Sequence, residues 1–191
     1  MKQRKQSGQM IIEALVAMGI ISVALVAILS LSLQSIRVQL SNRQWTQADQ
    51  LQQESLEAIR QIRDGIGKIK IDEALYDWDW DADGIWGDLE EPSFFRMYYD
   101  RNHNYWILEM VNLTDPKHSD YQLYYDSSTN SFGYPNRGSF ASNAKPSSFY
   151  RQIVITHRPG ITHGKNVICL LNWKQGDLEH EAQINTILTQ W

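Results

Sequence analysis

The segment MIIEALVAMGIISVALVAILSLSL, running from Met10 to Leu33, carries one charge, Glu13, and no proline. At a rise of ~1.5 Å per residue it makes a helix roughly 36 Å long, enough to cross a hydrocarbon core of ~30 Å. The residues before it include Lys2, Arg4 and Lys5 and no acid. The positive-inside bias therefore predicts a cytoplasmic N-terminus and places everything after Leu33 outside. A cleaved secretory signal fits poorly. The apolar run exceeds an h-region of ~7–15 residues, no small-x-small site closes it, and the small residue, Gly8, precedes it. The expectation is a single-pass membrane protein.

Glu13 is the anomaly in this run. A carboxylate at the centre of a lipid-facing helix costs on the order of 2.5–3.5 kcal/mol, so an acid there either snorkels to the interface or meets a positive charge from another chain.

Gly8-Gln9-Met10-Ile11-Ile12-Glu13, with a short basic leader before it and about twenty apolar residues after it, resembles the signal of type IV prepilins. The resemblance covers the first thirty-odd residues. It implies that a prepilin peptidase cuts after Gly8 on the cytoplasmic side, making Gln9 the new N-terminus and Glu13 the fifth mature residue. It further implies that Glu13 pairs with the terminal amine of a neighbouring subunit during assembly. Gln9 stands where the family usually has phenylalanine or methionine, so N-methylation and glutamine cyclisation are alternative fates of the new terminus. The partners implied are other pilin subunits, the prepilin peptidase, the pilus or secretion assembly machinery and the membrane.

The helix is expected to continue beyond the bilayer. No proline and no glycine other than Gly19 falls between Ile11 and Asp64. Leu40, Ala48, Leu51, Ser55, Ala58, Ile62 and Ile66 recur three or four apart for the most part, as a core-facing stripe requires, and Gln52, Gln53, Glu57 and Arg60 lie on the other face. Gly65 offers a left-handed stop. Residues 10 to 64 would span roughly 80 Å as one rod. A coiled-coil stalk is the weaker alternative, because the stripe is too short for three or four heptads. The segment Ala58–Asp64 is similar to the end of this helix in PilV-like minor pilins.

From Ile69 onward, short runs rich in β-branched and aromatic residues alternate with Asn, Asp, Gly and Pro. Strands are expected at 93–100, 105–111, 121–126, 131–134, 150–157, 165–174 and 179–188. Hairpin turns are expected at Arg101–Asn104, Ser127–Asn130 and Gln175–Asp177, and a polar loop over 134–148. The fold class is therefore α+β, a long transmembrane-plus-amphipathic helix packed on an antiparallel sheet. The division is a leader over 1–8, a membrane half over 9–34, an amphipathic half over 35–64 and a β head over 65–191.

Between Lys70 and Arg96 lie nine acids and no basic residue. Asp79, Asp81 and Asp83 occupy the first, third and fifth places of an EF-hand loop pattern, Gly84 the sixth and Glu90 the twelfth. Three short carboxylates at alternate positions converge on one point, the Ile85 carbonyl adds an oxygen, and Glu90 closes the site bidentately. Pro92 follows at once, so no exiting helix is expected. A Ca2+ loop over 79–90 is one reading and a solvated acidic loop the other. Trp78, Trp80 and Trp86 beside it would either stack on sugars or cover the core.

Other function classes find little support. The net charge of -4 and pI of about 5.7 provide no basic patch for nucleic acid. Cys169 is the only cysteine and reads as a small buried hydrophobe. His103, His118, His157, His163 and His180 show no ligand spacing, and no hydrolase or phosphate-loop motif occurs. The expectation is a filament subunit and not an enzyme, a pilin or a pseudopilin of a secretion or DNA-uptake machine. A membrane-anchored, calcium-dependent binding or adhesion protein is the alternative from another class.

Overall fold

A computed structural model describes residues 3–78, 92–111, 113–138, 140–157 and 164–189, the first six of these by backbone alone. The chain divides into two compact units, Met1–Thr46 and Gln47–Trp191. Helix α1, Gln3–Arg63, contributes to both.

The first unit is helix alone among the described residues. Eighteen large apolar side chains between Met10 and Leu40 are each more than half exposed. Ser22, Ser30 and Ser32 donate to the carbonyls of Met18, Val26 and Ile28 at 2.8–2.9 Å. These hydroxyls are thus satisfied within the helix and present no stray donor to an apolar surrounding.

In the second unit the rest of α1 packs on a nine-stranded sheet. The buried stripe is Ala48, Leu51, Gln52, Ser55, Ala58, Ile59 and Ile62. Three expectations are corrected here. Leu40 is 55% exposed and Ile66 60% exposed, whereas Gln52, expected on the solvent face, is buried. Gln52 and Ile59 each follow a stripe residue directly, because a sheet covers a wider arc of a helix than a single seam does. Ile66 lies past the helix end. The Ile66 amide donates to Gln61 at 2.8 Å and the Gly65 amide to Ile62 at 3.2 Å, the paired bonds of a Schellman stop, with Gly65 at φ +86.

The strands are β1 Gly67–Ile71, β2 Ala74–Tyr76, β3 Ser93–Asp100, β4 Tyr105–Met110, β5 Gln122–Asp126, β6 Ser131–Gly133, β7 Lys145–His157, β8 Gly164–Gln175 and β9 Leu178–Thr189. All pairings are antiparallel except β1 with β4, which runs parallel, so the head is the mostly antiparallel sheet expected. β1 and β2 were not expected from the sequence. β7 begins at Lys145, inside the stretch expected to be a loop, and carries Pro146 opposite Tyr124 of β5. Its pairing with β8 starts only at Phe149. Pro146 therefore lies where no donor is required on the β8 side.

β7 organises the sheet. One edge pairs with β8, and the other is shared by β5 near its start and β3 near its end. The β3–β7 register covers only Ser93–Phe95, after which β3 diverges. The expected hairpin turns form, with Asn104, Asn130 and Gly176 at positive φ. Phe95, Met97, Leu108, Ile153, Val167 and Cys169 face Ala58, Ile59 and Ile62 in one buried cluster. Cys169 is fully buried, and burial pushes its thiol pKa up, so it behaves as a core residue and not as a nucleophile.

Candidate functional site

Within the first unit the apolar side chains of the helix are uncovered. Each exposed Leu, Ile, Val or Met gains ~1.5–3 kcal/mol on full burial, so eighteen of them represent on the order of 20 kcal/mol or more. The helix is long and apolar enough to cross a membrane.

Gly8 and Gln9 lie within the backbone of α1, and Glu13 lies one turn further along on an exposed position. Among the residues from Gln9 to Ile36, Glu13 is the only ionisable side chain. No basic side chain among the described residues pairs with it. No protein-family model, curated protein or solved structure matches this chain.

Asp79, Asp81, Asp83, Ile85 and Glu90 all lie outside the described residues. The approach to them is described. Lys68 pairs with Asp77, and Lys70 with Glu73 at 2.6 Å, in the β1–β2 hairpin. Asp72 and Glu73 take positive φ at its turn. Two of the nine acids are therefore paired with lysines of β1, the strand that precedes the acidic stretch. Among the described residues, no three His, Cys, Asp or Glu side chains come together to hold a metal. Trp78 is buried in the main core cluster, which assigns it to covering the core.

The described histidines are engaged separately. His103 Nδ1 meets Asp100 Oδ2 at 2.7 Å, His118 accepts from the Asp120 amide at a 3-10 turn, and His180 stacks on Trp173. His163 and the side chain of His157 lie outside what is described.

One charged cluster was not legible from sequence. Glu109 on β4, nearly buried, receives Arg96 Nε at 2.7 Å and is flanked by Lys70 and Arg137 at 3.4 Å. Burial pushes its carboxyl pKa up, but the hydrogen bond and charge of Arg96, then the charges of Arg137 and Lys70, bring it below the usual value. The residues come from β1, β3, β4 and the turn after β6, so only strand order reveals them. Each has a partner, which marks the cluster as structural.

Proposed function

We propose that this chain is a structural subunit, a minor pilin in type, of a type IV pilus-like filament. It is held first in the membrane by its N-terminal helix, with the N-terminus cytoplasmic and the β head outside. After cleavage following Gly8, the helix exchanges lipid for a bundle of equally apolar helices. The observation that carries this reading is the unpartnered apolar helix holding a single acid five positions after a glycine with a basic leader. The apolar side chains lose nothing in the exchange, since lipid and helix bundle are alike to them. Glu13 gains, because a neighbour's new terminal amine supplies the opposite charge that hydrocarbon withholds. The head then contributes the filament surface, and the 79–90 loop, filled by Ca2+, would stiffen the link between helix and sheet.

The test is co-expression with a prepilin peptidase. Intact-mass measurement should show loss of the eight residues Met1–Gly8, and proteolysis of spheroplasts should remove the head while sparing the helix. An unshortened chain in the presence of active peptidase would overturn the proposal in favour of a permanently anchored protein.

A further inference from the structure

Among the described residues the branched sheet ends in three strands, β2, β6 and β9. β6 is buried or half-buried along its length, whereas β2 is exposed throughout and β9 is the longest edge. β9 pairs with β8 through twelve successive residues without a register shift, from Gly164 opposite Thr189 to Gln175 opposite Leu178. It has no bulge, proline, lysine or arginine, the devices that ordinarily keep an edge from recruiting another strand. From Ala182 to Thr189 it has no charge at all. Such an edge offers its unpaired amides and carbonyls to an extended strand.

Beyond α1, the exposed large apolar side chains among the described residues are Ile66, Leu75, Tyr76, Leu178 and Ile187. Four of these five stand on the two open edges, Leu75 and Tyr76 on β2 and Leu178 and Ile187 on β9. Ile69 and Val167 face the core under α1. Their neighbours Lys70 and Asn166 therefore point to the opposite face, and so do the residues paired with them, Leu75 and Ile187.

The strand directions fit the same pairing. β9 opposes β8 and β8 opposes β7, so β9 runs with β7. β3 opposes β7, β4 opposes β3, β1 runs with β4 and β2 opposes β1, so β2 runs against β9. Copies set side by side in one orientation thus bring β9 of one beside β2 of the next as an antiparallel pair, the stabler ladder. Charge selects the half of β9 that is used. β2 is flanked by Asp72, Glu73 and Asp77, and β9 begins with Glu179 and Glu181. Pairing at that end sets like charges together, and pairing along Ala182–Thr189 does not.

We propose that β9 and β2 are the two halves of a head-to-tail contact between copies of this chain. Leu75 of one copy packs beside Ile187 of the next on the face away from α1, and Tyr76 lies opposite Thr186. A contact between two different edges leaves one of each free at the ends, so it extends into rows and does not stop at a dimer. The ladder is short, since β2 has three residues, and anchoring in one membrane supplies the effective concentration so small a contact needs.

Cysteine cross-linking of full chains in membranes, without a prepilin peptidase, tests this. The native Cys169 is buried, while Leu75→Cys and Ile187→Cys replace side chains that are about half exposed. On mild oxidation, or with a short bis-maleimide, the two variants co-expressed should give at least about tenfold more dimer than either alone. A chain carrying both changes should give a ladder of trimers and longer products. Leu75→Cys with Leu178→Cys, at the acidic end of β9, should stay near background. Cross-linking of Ile187→Cys to itself as readily as to Leu75→Cys, no product from the mixed pair, a ladder that stops at the dimer, or equal product with Leu178→Cys overturns the contact. Cleavage after Gly8 is measured separately, so failure here leaves the filament proposal standing.

Discussion

Arg151 Nη2 donates to the main-chain carbonyl of Met97 across 2.8 Å, at the place where β3 leaves its pairing with β7. A side chain thus supplies the hydrogen bond that the neighbouring strand no longer provides. The same guanidinium lies under α1, 3.4 Å from Ser55 Oγ and 3.8 Å from Glu54 Oε1. Arg151→Ala removes that donor and opens a void. Denaturant unfolding should show a loss of about 3 kcal/mol. Arg151→Met fills the volume but leaves the Met97 carbonyl unpaired, and should lose about half as much. Equal stability of the alanine variant and the wild type would show that the guanidinium is not what holds the diverging strands to the helix.

Glu13→Leu separates membrane insertion from assembly. Insertion should be unchanged or stronger, because a charge leaves the hydrocarbon, at ~2.5–3.5 kcal/mol on insertion scales. Cleavage after Gly8 should continue, since the scissile bond is untouched. Incorporation into filaments, measured in sheared surface fractions, should fall at least tenfold. Undiminished incorporation of the processed variant would remove the mechanism proposed for Glu13.

The Glu109 carboxyl has its pKa held below the ordinary glutamate value of 4.5 in the folded chain, so the folded state binds its proton less readily than the unfolded state does. Its contribution is therefore fully present above pH 4.5 and is lost as pH falls through the lower folded value. Thermal unfolding midpoints should decline below about pH 4.5 in the wild type. Glu109→Gln should be less stable near pH 7 by about 2 kcal/mol, because Arg96 loses its principal acceptor, and should show a shallower acid decline. Parallel acid profiles for the two proteins would assign the decline to other carboxylates.

Calcium is expected to raise the unfolding midpoint of the full chain. At a free concentration a hundred times the dissociation constant the gain is about 2.7 kcal/mol. Magnesium should do less, because the pattern at Asp79, Asp81, Asp83 and Glu90 suits a larger ion with a bidentate ligand. Asp79→Asn with Glu90→Gln should abolish the calcium effect while leaving the metal-free midpoint unchanged or higher. A calcium response that survives both changes would place the ion elsewhere.

What the sequence determined by itself were the features that depend on near neighbours. The length of α1, its end at Gly65 and the hairpin turns at Asn104, Asn130 and Gly176 follow from local composition and from which residues tolerate positive φ. β3 matched its expected bounds because its alternation is strong, whereas β1 and β2 were missed because Lys68, Lys70 and Glu73 make them read as solvated loop. Among the proposed site residues, Gly8, Gln9 and Glu13 are assigned from spacing along the sequence alone.

The tertiary structure alone decided which distant residues meet. The branching of β7 between β3 and β5, the parallel β1–β4 pair and the Glu109 cluster all join residues far apart in the chain. Arg151 in sequence reads as one basic residue in a strand. It becomes a buried strut only because β3 leaves its partner there, and divergence between strands is a property of the packed sheet that no local pattern encodes.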